Sequence, residues 1–211
     1  MLSYPTPEII FDYDVCFAMS DARYAYHEAG HAVAAAVLGF SFRSSGIHID
    51  HEGLGVTQIL CPSLACSPPF SDLQNKQARM VIVLFTGIIA QKKFCPSSST
   101  RSAADDEKKI DQYLSAIYRT NEAAKLVARS YLKQEAERLV EDFGFAISKV
   151  AEALWGKECT PVAEAWGTMS HTDKTVKASE LVEILKQCEI SCGVDDCTPE
   201  EPPARLADYW G

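Results

Sequence analysis

The sequence is short of positive charge. Its 20 lysines and arginines face 29 aspartates and glutamates, leaving a formal net charge of −9 over 211 residues. A nucleic-acid binder neutralises phosphates with a basic face, so this balance argues against nucleic acid as a partner. Long apolar runs are missing as well. The longest, Ala32–Phe42 and Met80–Ala90, fall short of the roughly 20 residues that a membrane helix needs, so no membrane span is expected. The opening "MLSYPTPEIIFDYDVCF" has neither the basic start nor the apolar centre of a signal peptide, and a cytoplasmic location is the expectation. A phosphate-cradling G-x-x-x-x-G-K-[ST] is also lacking: Gly156-Lys157 has Ala151 in place of the first glycine and Glu158 in place of the hydroxyl. None of the eight cysteines forms a C-x-x-C pair. Cys188, Cys192 and Cys197 are irregularly spaced and read as reduced thiols rather than as metal ligands.

What remains is the composition of an ordinary globular domain, 47% hydrophobic and 23% charged. Residues 1–19 read as an extended lead-in. A helix capped at Ser20 or Asp21 is expected to run to Leu38, with Gly39 as its stop. The alternation in "GIHIDHEGLGVTQIL" predicts two short strands around a turn between Ser41 and Leu60. A loop covers Cys61–Ser71, and Asp72 can cap a second helix whose buried run is "MVIVLFTGIIA", with Gly87 as a point of close packing. After a loop over Cys95–Ser102, helices resume near Ala103 and continue to Leu154, bending near Gly144. A last helix falls within Ala178–Gln187. The fold class is thus mainly α (α+β), with one small β-sheet between the first two long helices. Residues 1–187 form a single domain, and 188–211 an acidic, Cys- and Pro-containing tail.

Histidine is scarce too, five residues in all, yet two of them fall within "HEAGH", His27–His31. On a helix, residues four apart share a face, so both imidazoles point to one spot, as a tetrahedral zinc requires. Glu28 flanks that spot without having to ligate and can take a proton from an activated water. Two core histidines beside a glutamate would be costly to bury without a shared partner. Zinc needs a third protein ligand. The extended pattern with a third histidine would require glycine at position 34 and histidine at position 37, but Ala34 and Val37 stand there. Glu122 in "NEAAK" is one option, and an aspartate in "STRSAADDEKKIDQYLSAIY" another.

"YHEAGHAVAAAVLG" resembles the zinc helix of the FtsH-type metallopeptidases. "GIHIDHEGLGVTQI" is similar to that family's strand with its "LGVT" end, and "ARMVIVLFTGIIAQ" to its following helix. "STRSAADDEKKIDQYLSA" resembles the segment whose aspartate is the third zinc ligand. The likeness covers Ala22–Ile117 and thins towards Trp166. It implies a helical zincin-type domain, with one Zn2+ on His27, His31 and an aspartate. Ile110, Tyr113, Leu114 and Ile117 follow Asp106 by four, seven, eight and eleven residues. Asp106 therefore points inward with the apolar stripe, and Asp105, three after Ser102, reads as a capping partner. Glu122 reads as solvated, and His48 and His51 as surface residues. Leu54, Gly55, Val56 and Thr57 resemble the strand edge that in this family pairs with an extended substrate. The family's charged helix positions are replaced here by Gly87-Ile88-Ile89-Ala90-Gln91-Lys92, and its ATPase module has no counterpart.

Two functions fit these residues. One is a zinc endopeptidase with Glu28 as general base, acting on peptides or unfolded chains, with a separate ATPase partner or homo-oligomer as possible company. The other is a silent binding module with a structural zinc. A structural zinc closes with four protein ligands and needs no base, which favours the enzyme.

Overall fold

No proline or glycine falls between Tyr13 and Ala29, and helix α1 runs unbroken over Tyr13–Val37. The computed structural model describes residues 13–49, 55–60, 70–96, 101–158, 160–163 and 169–194. Part of the extended lead-in expected over residues 1–19 is therefore corrected. Residues 13–19 are the first turns of α1, because Ser20 and Asp21 are tolerated inside a helix that nothing else interrupts. At the other end Gly39, at φ 79°, closes a Schellman turn. Its N–H donates to the Ala36 carbonyl at 3.0 Å, and the Phe40 N–H to the Ala35 carbonyl at 2.9 Å.

Strands β1, Ser41–Ile49, and β2, Gly55–Leu60, follow. Helix α2 spans Phe70–Phe94, so Asp72, expected as its cap, lies within its first turn. Helix α3 covers Arg101–Tyr118, which puts Ser102 inside the helix rather than ahead of it. Helix α4, Glu122–Asp142, is capped by the Asn121 side chain, which accepts from the Ala124 N–H at 3.0 Å. The chain breaks at Phe143 and resumes as α5, Gly144–Trp155. Strands β3, Thr160–Ala163, and β4, Met169–Val176, precede helix α6, Ala178–Gln187. The described chain is mainly helical, with a small antiparallel sheet, and none of its helices is long and apolar enough to cross a membrane.

The sheet order is β2-β1-β4-β3. Only β1 and β2 come from between α1 and α2. The sheet expected from that hairpin alone is extended by two strands from beyond α5. Those strands escape pattern reading: β4, "MSHTDKTV", is largely polar, and β3, "TPVA", is short and carries a proline. Along β1 and β2, Ile47 pairs with Thr57 and Ile49 with Gly55, while Phe42 pairs with Ile59. The intervening residues 43–46 bulge out of register. β4 then pins the other side of β1, Ile47 against Val176 and Ile49 against Lys174.

Helix α1 lies at the centre. One apolar cluster joins its alanine-rich face to Phe42, Ile47 and Ile49 of β1, to Ile147 and Leu154 of α5, and to Leu181 and Leu185 of α6. A second joins Val81, Phe85 and Ile88 of α2 to Ile110 and Leu114 of α3 and Leu132 of α4. Where α1 crosses α2 the backbones nearly touch. A methyl group on Gly30 would lie 2.8 Å from the Thr86 carbonyl oxygen and 2.9 Å from the Gly87 Cα. Past α6 the packed chain continues to Val194. Ile190 is buried, Val194 bridges to Phe42, and Cys188 and Cys192 lie half-buried against the core. Cys197 and the rest of the tail fall outside the described residues.

Candidate metal centre

One turn of α1 carries His27, Glu28 and His31, and all three are buried, at 1%, 2% and 7% exposure. Glycine makes that burial feasible. A side chain on Gly87 would strike the His31 ring, with a methyl carbon 2.6 Å from both ring nitrogens. The imidazole therefore lies in the space that Gly87 leaves in α2. There His31 Nδ1 donates to the Val83 carbonyl at 3.0 Å, which fixes the tautomer and turns Nε2 towards His27.

From the opposite side α3 presents Asp106. Its Oδ2 lies 2.9 Å from His27 Nε2 and 3.0 Å from His31 Nε2, and the two nitrogens are 3.1 Å apart. These three atoms form a nearly equilateral triangle, and all three residues are buried. Asp106 is only 5% exposed, whereas Asp105 turns outward and pairs with Lys108 at 2.9 Å. The apolar stripe of α3 explains the difference: Ile110 and Leu114, one and two turns on from Asp106, are fully buried.

Two imidazoles and a carboxylate at such range hold each other's charge. Burial alone would lower the His31 pKa, but the Asp106 charge and hydrogen bond reverse that. With smaller help from Glu28 and the Val83 carbonyl they lift it to about 9. Burial pushes the Asp106 carboxyl up, and the His31 and His27 contacts outweigh it, holding the group well below the usual carboxylate range.

Glu28 brings a carboxylate oxygen within 4.8 Å of the histidine nitrogens, and the buried group of His27, Glu28 and His31 could hold a metal ion. Two oxygen donors thus compete for the third place. Asp106 is the nearer and touches both nitrogens through one atom, while a Glu28 oxygen is engaged elsewhere, accepting from Thr57 Oγ1 at 2.6 Å. The Asp106 oxygen thus stands against both imidazoles, whereas the Glu28 carboxylate is turned to β2.

The cluster opens into a cleft of about 660 Å³. β2 forms one wall through Gly55, Val56 and Thr57, with Met80 and Leu84 of α2 opposite and Arg43 and Lys109 as its cations. Val56 is 43% exposed. Leu54 and His51 lie outside the described residues. His48 is half-buried in β1, opposite Val56, and Glu122 is exposed in the first turn of α4. Sequence reasoning missed Val83 and Arg43. The first acts through its backbone, which no side-chain pattern reveals, and the second enters the cleft through the bulge in β1. Gly87 was legible as a close-packing residue, but not as the seat of His31.

No protein-family model matches this chain, and no curated protein matches it either.

Proposed function

We propose that the protein is a zinc-dependent endopeptidase acting on peptides or unfolded chains, with His27, His31 and Asp106 as zinc ligands and Glu28 as general base. The observation that carries this reading is the convergence of two imidazole nitrogens and one carboxylate oxygen at a single buried point, with a second carboxylate beside it at the head of a cleft. A tetrahedral zinc with ligands at about 2.0 Å spaces its donors about 3.3 Å apart. The three separations of 2.9 to 3.1 Å need to widen by only a few tenths of an ångström. Two nitrogens and one oxygen suit zinc chemically, and three protein ligands leave a fourth position for the reaction.

When bound, zinc supplies Lewis acidity towards a carbonyl oxygen and makes water more acidic. Glu28, buried and held by Thr57, is placed to take the proton from an attacking water and to return it to the leaving amine. β2 stands at the end of the strand order, so among the described residues its outer edge pairs with no strand. An extended peptide adding to that edge would gain backbone hydrogen bonds with little demand on its sequence. The apolar side chains of Ile59, Leu60, Met80 and Leu84 offer one large side chain of that peptide a dry contact.

The test is hydrolysis of a pool of short unstructured peptides by the zinc-loaded protein beside Glu28→Gln. Removal of a general base costs about 10²- to 10⁴-fold, so cleavage should fall by that factor while zinc stays bound. If both proteins hold zinc and neither cleaves, the peptidase reading fails, and a binding module with a structural metal replaces it.

A further inference from the structure

A buried carboxylate with one shared hydroxyl partner is under-supported for a group that must hold its aim. Glu28 is 2% exposed, and its two oxygens meet β2 in different ways. Oε2 accepts a short hydrogen bond from Thr57 Oγ1 at 2.6 Å. The same hydroxyl lies 3.1 Å from the Glu28 backbone carbonyl. A hydroxyl has a single proton, and the shorter contact takes it. The rest of the carboxylate lies against Gly55: a methyl group there would sit 2.5 Å from the Glu28 carboxyl carbon.

Gly55 and Thr57 are two apart on one strand and so share a face. Their cross-strand partners Ile49 and Ile47 are buried at 1% and 0%, which marks this as the face turned to the core. Val56, on the other face, is exposed. A slip of one residue would turn Val56 towards Glu28 and remove the donor. β4 pairs Ile47 and Ile49 from the far side and so holds β1, the strand against which β2 is registered.

We propose that Thr57 is a positioning residue for Glu28, and that Gly55 and Thr57 together form a clamp, one side chain wide, that fixes the carboxylate at the head of the cleft. The clamp gives β2 a second task beside the one resting on the peptidase reading. Its backbone edge faces the substrate, while its core-side face holds the base. Thr57 touches none of His27, His31 and Asp106 through any described hydrogen bond, so its effect on chemistry passes through Glu28 alone.

The experiment compares zinc-loaded wild type, Thr57→Val, Thr57→Ser and Gly55→Ala by crystal structure, by zinc affinity and by kcat and KM on an unstructured peptide. Valine keeps the shape and removes the donor. In that variant the Glu28 carboxylate should leave β2, and kcat should fall about 10²-fold, the cost of a misplaced catalytic group. KM and zinc affinity should stay within about twofold. Serine restores both the position and kcat. Alanine at 55 displaces the carboxylate by collision and gives the same readout should the valine protein not fold. A Glu28 that keeps its place in both Thr57→Val and Gly55→Ala, or a serine variant no better than valine, overturns the proposal. If wild type cleaves nothing, the peptidase reading falls, and the crystal positions of Glu28 still decide the clamp.

Discussion

The neighbouring aspartates Asp105 and Asp106 differ in role because 100° of helix separates them. Asp106→Ala removes the oxygen shared by both imidazoles, so zinc affinity should fall by more than the 10- to 100-fold typical of an outer partner. Asp105→Ala removes an exposed pair with Lys108 and no contact to either imidazole, and should leave affinity unchanged. Competition with a chromophoric chelator measures both. The raised pKa of His31 adds a second prediction. With a pKa of about 9 in the metal-free protein, His31 is protonated at pH 7.5, and a metal must displace that proton. Affinity should therefore climb as pH rises towards 9. Calorimetry in two buffers of different ionisation heat should show about one proton released per ion. No release would mean that His31 is neutral without metal. At this scale the sequence was informative where chemistry follows helical spacing: His27, Glu28 and His31 one turn apart, and Asp106 at the head of its stripe. The bond from Thr57 to Glu28 was not legible, because it depends on strand register and on how β2 lies across α1.

Among the elements, the crossing of α1 and α2 decides whether the site can exist. Gly87→Ala sets two effects against each other. Alanine favours the helix by about 1 kcal/mol, whereas overpacking a filled space costs about 1–3 kcal/mol. A methyl carbon 2.6 Å from the imidazole nitrogens makes the second effect the larger. The variant should lose stability in chemical denaturation and lose zinc affinity as His31 is pushed off its aim, while Gly144→Ala, whose added carbon would meet only Phe94 at 3.6 Å, should spare the metal. The hairpin of β1 and β2 could be read from alternation, and α6 from its amphipathic face. β4 could not, since a strand lodged between β1 and β3 is held by its ladders and needs little apolar patterning of its own. The early start of α1 was hidden by Ser20 and Asp21, which look like a cap and act as interior residues.

For the molecule as a whole, composition located the acidic end but not the packing of its first residues. Ile190 is buried, and the Phe42 N–H donates to the Gly193 carbonyl at 3.2 Å. Burial also pushes the Cys192 thiol up. A chain ending at Gln187 should lose about 2 kcal/mol from the Ile190 side chain alone. In a domain of this size that lowers Tm by several degrees, readable by circular dichroism.

The order of strands also has a consequence in time. β1 is the inner strand on which the clamp's register rests, yet one of its two neighbours, β4, lies far later in the chain. At ordinary rates of synthesis the gap between them amounts to something on the order of ten seconds. Throughout that interval α1 has already left the ribosome with its imidazoles and its carboxylate, while β1 still carries an unpaired flank beside Ile47 and Ile49. A nascent chain at that stage offers holding factors an open, apolar strand and has only half of the scaffold that aims Glu28. Maturation of the centre is thereby tied to translation of the C-terminal third, and a stalled ribosome would release a chain with the donors present and the scaffold unfinished.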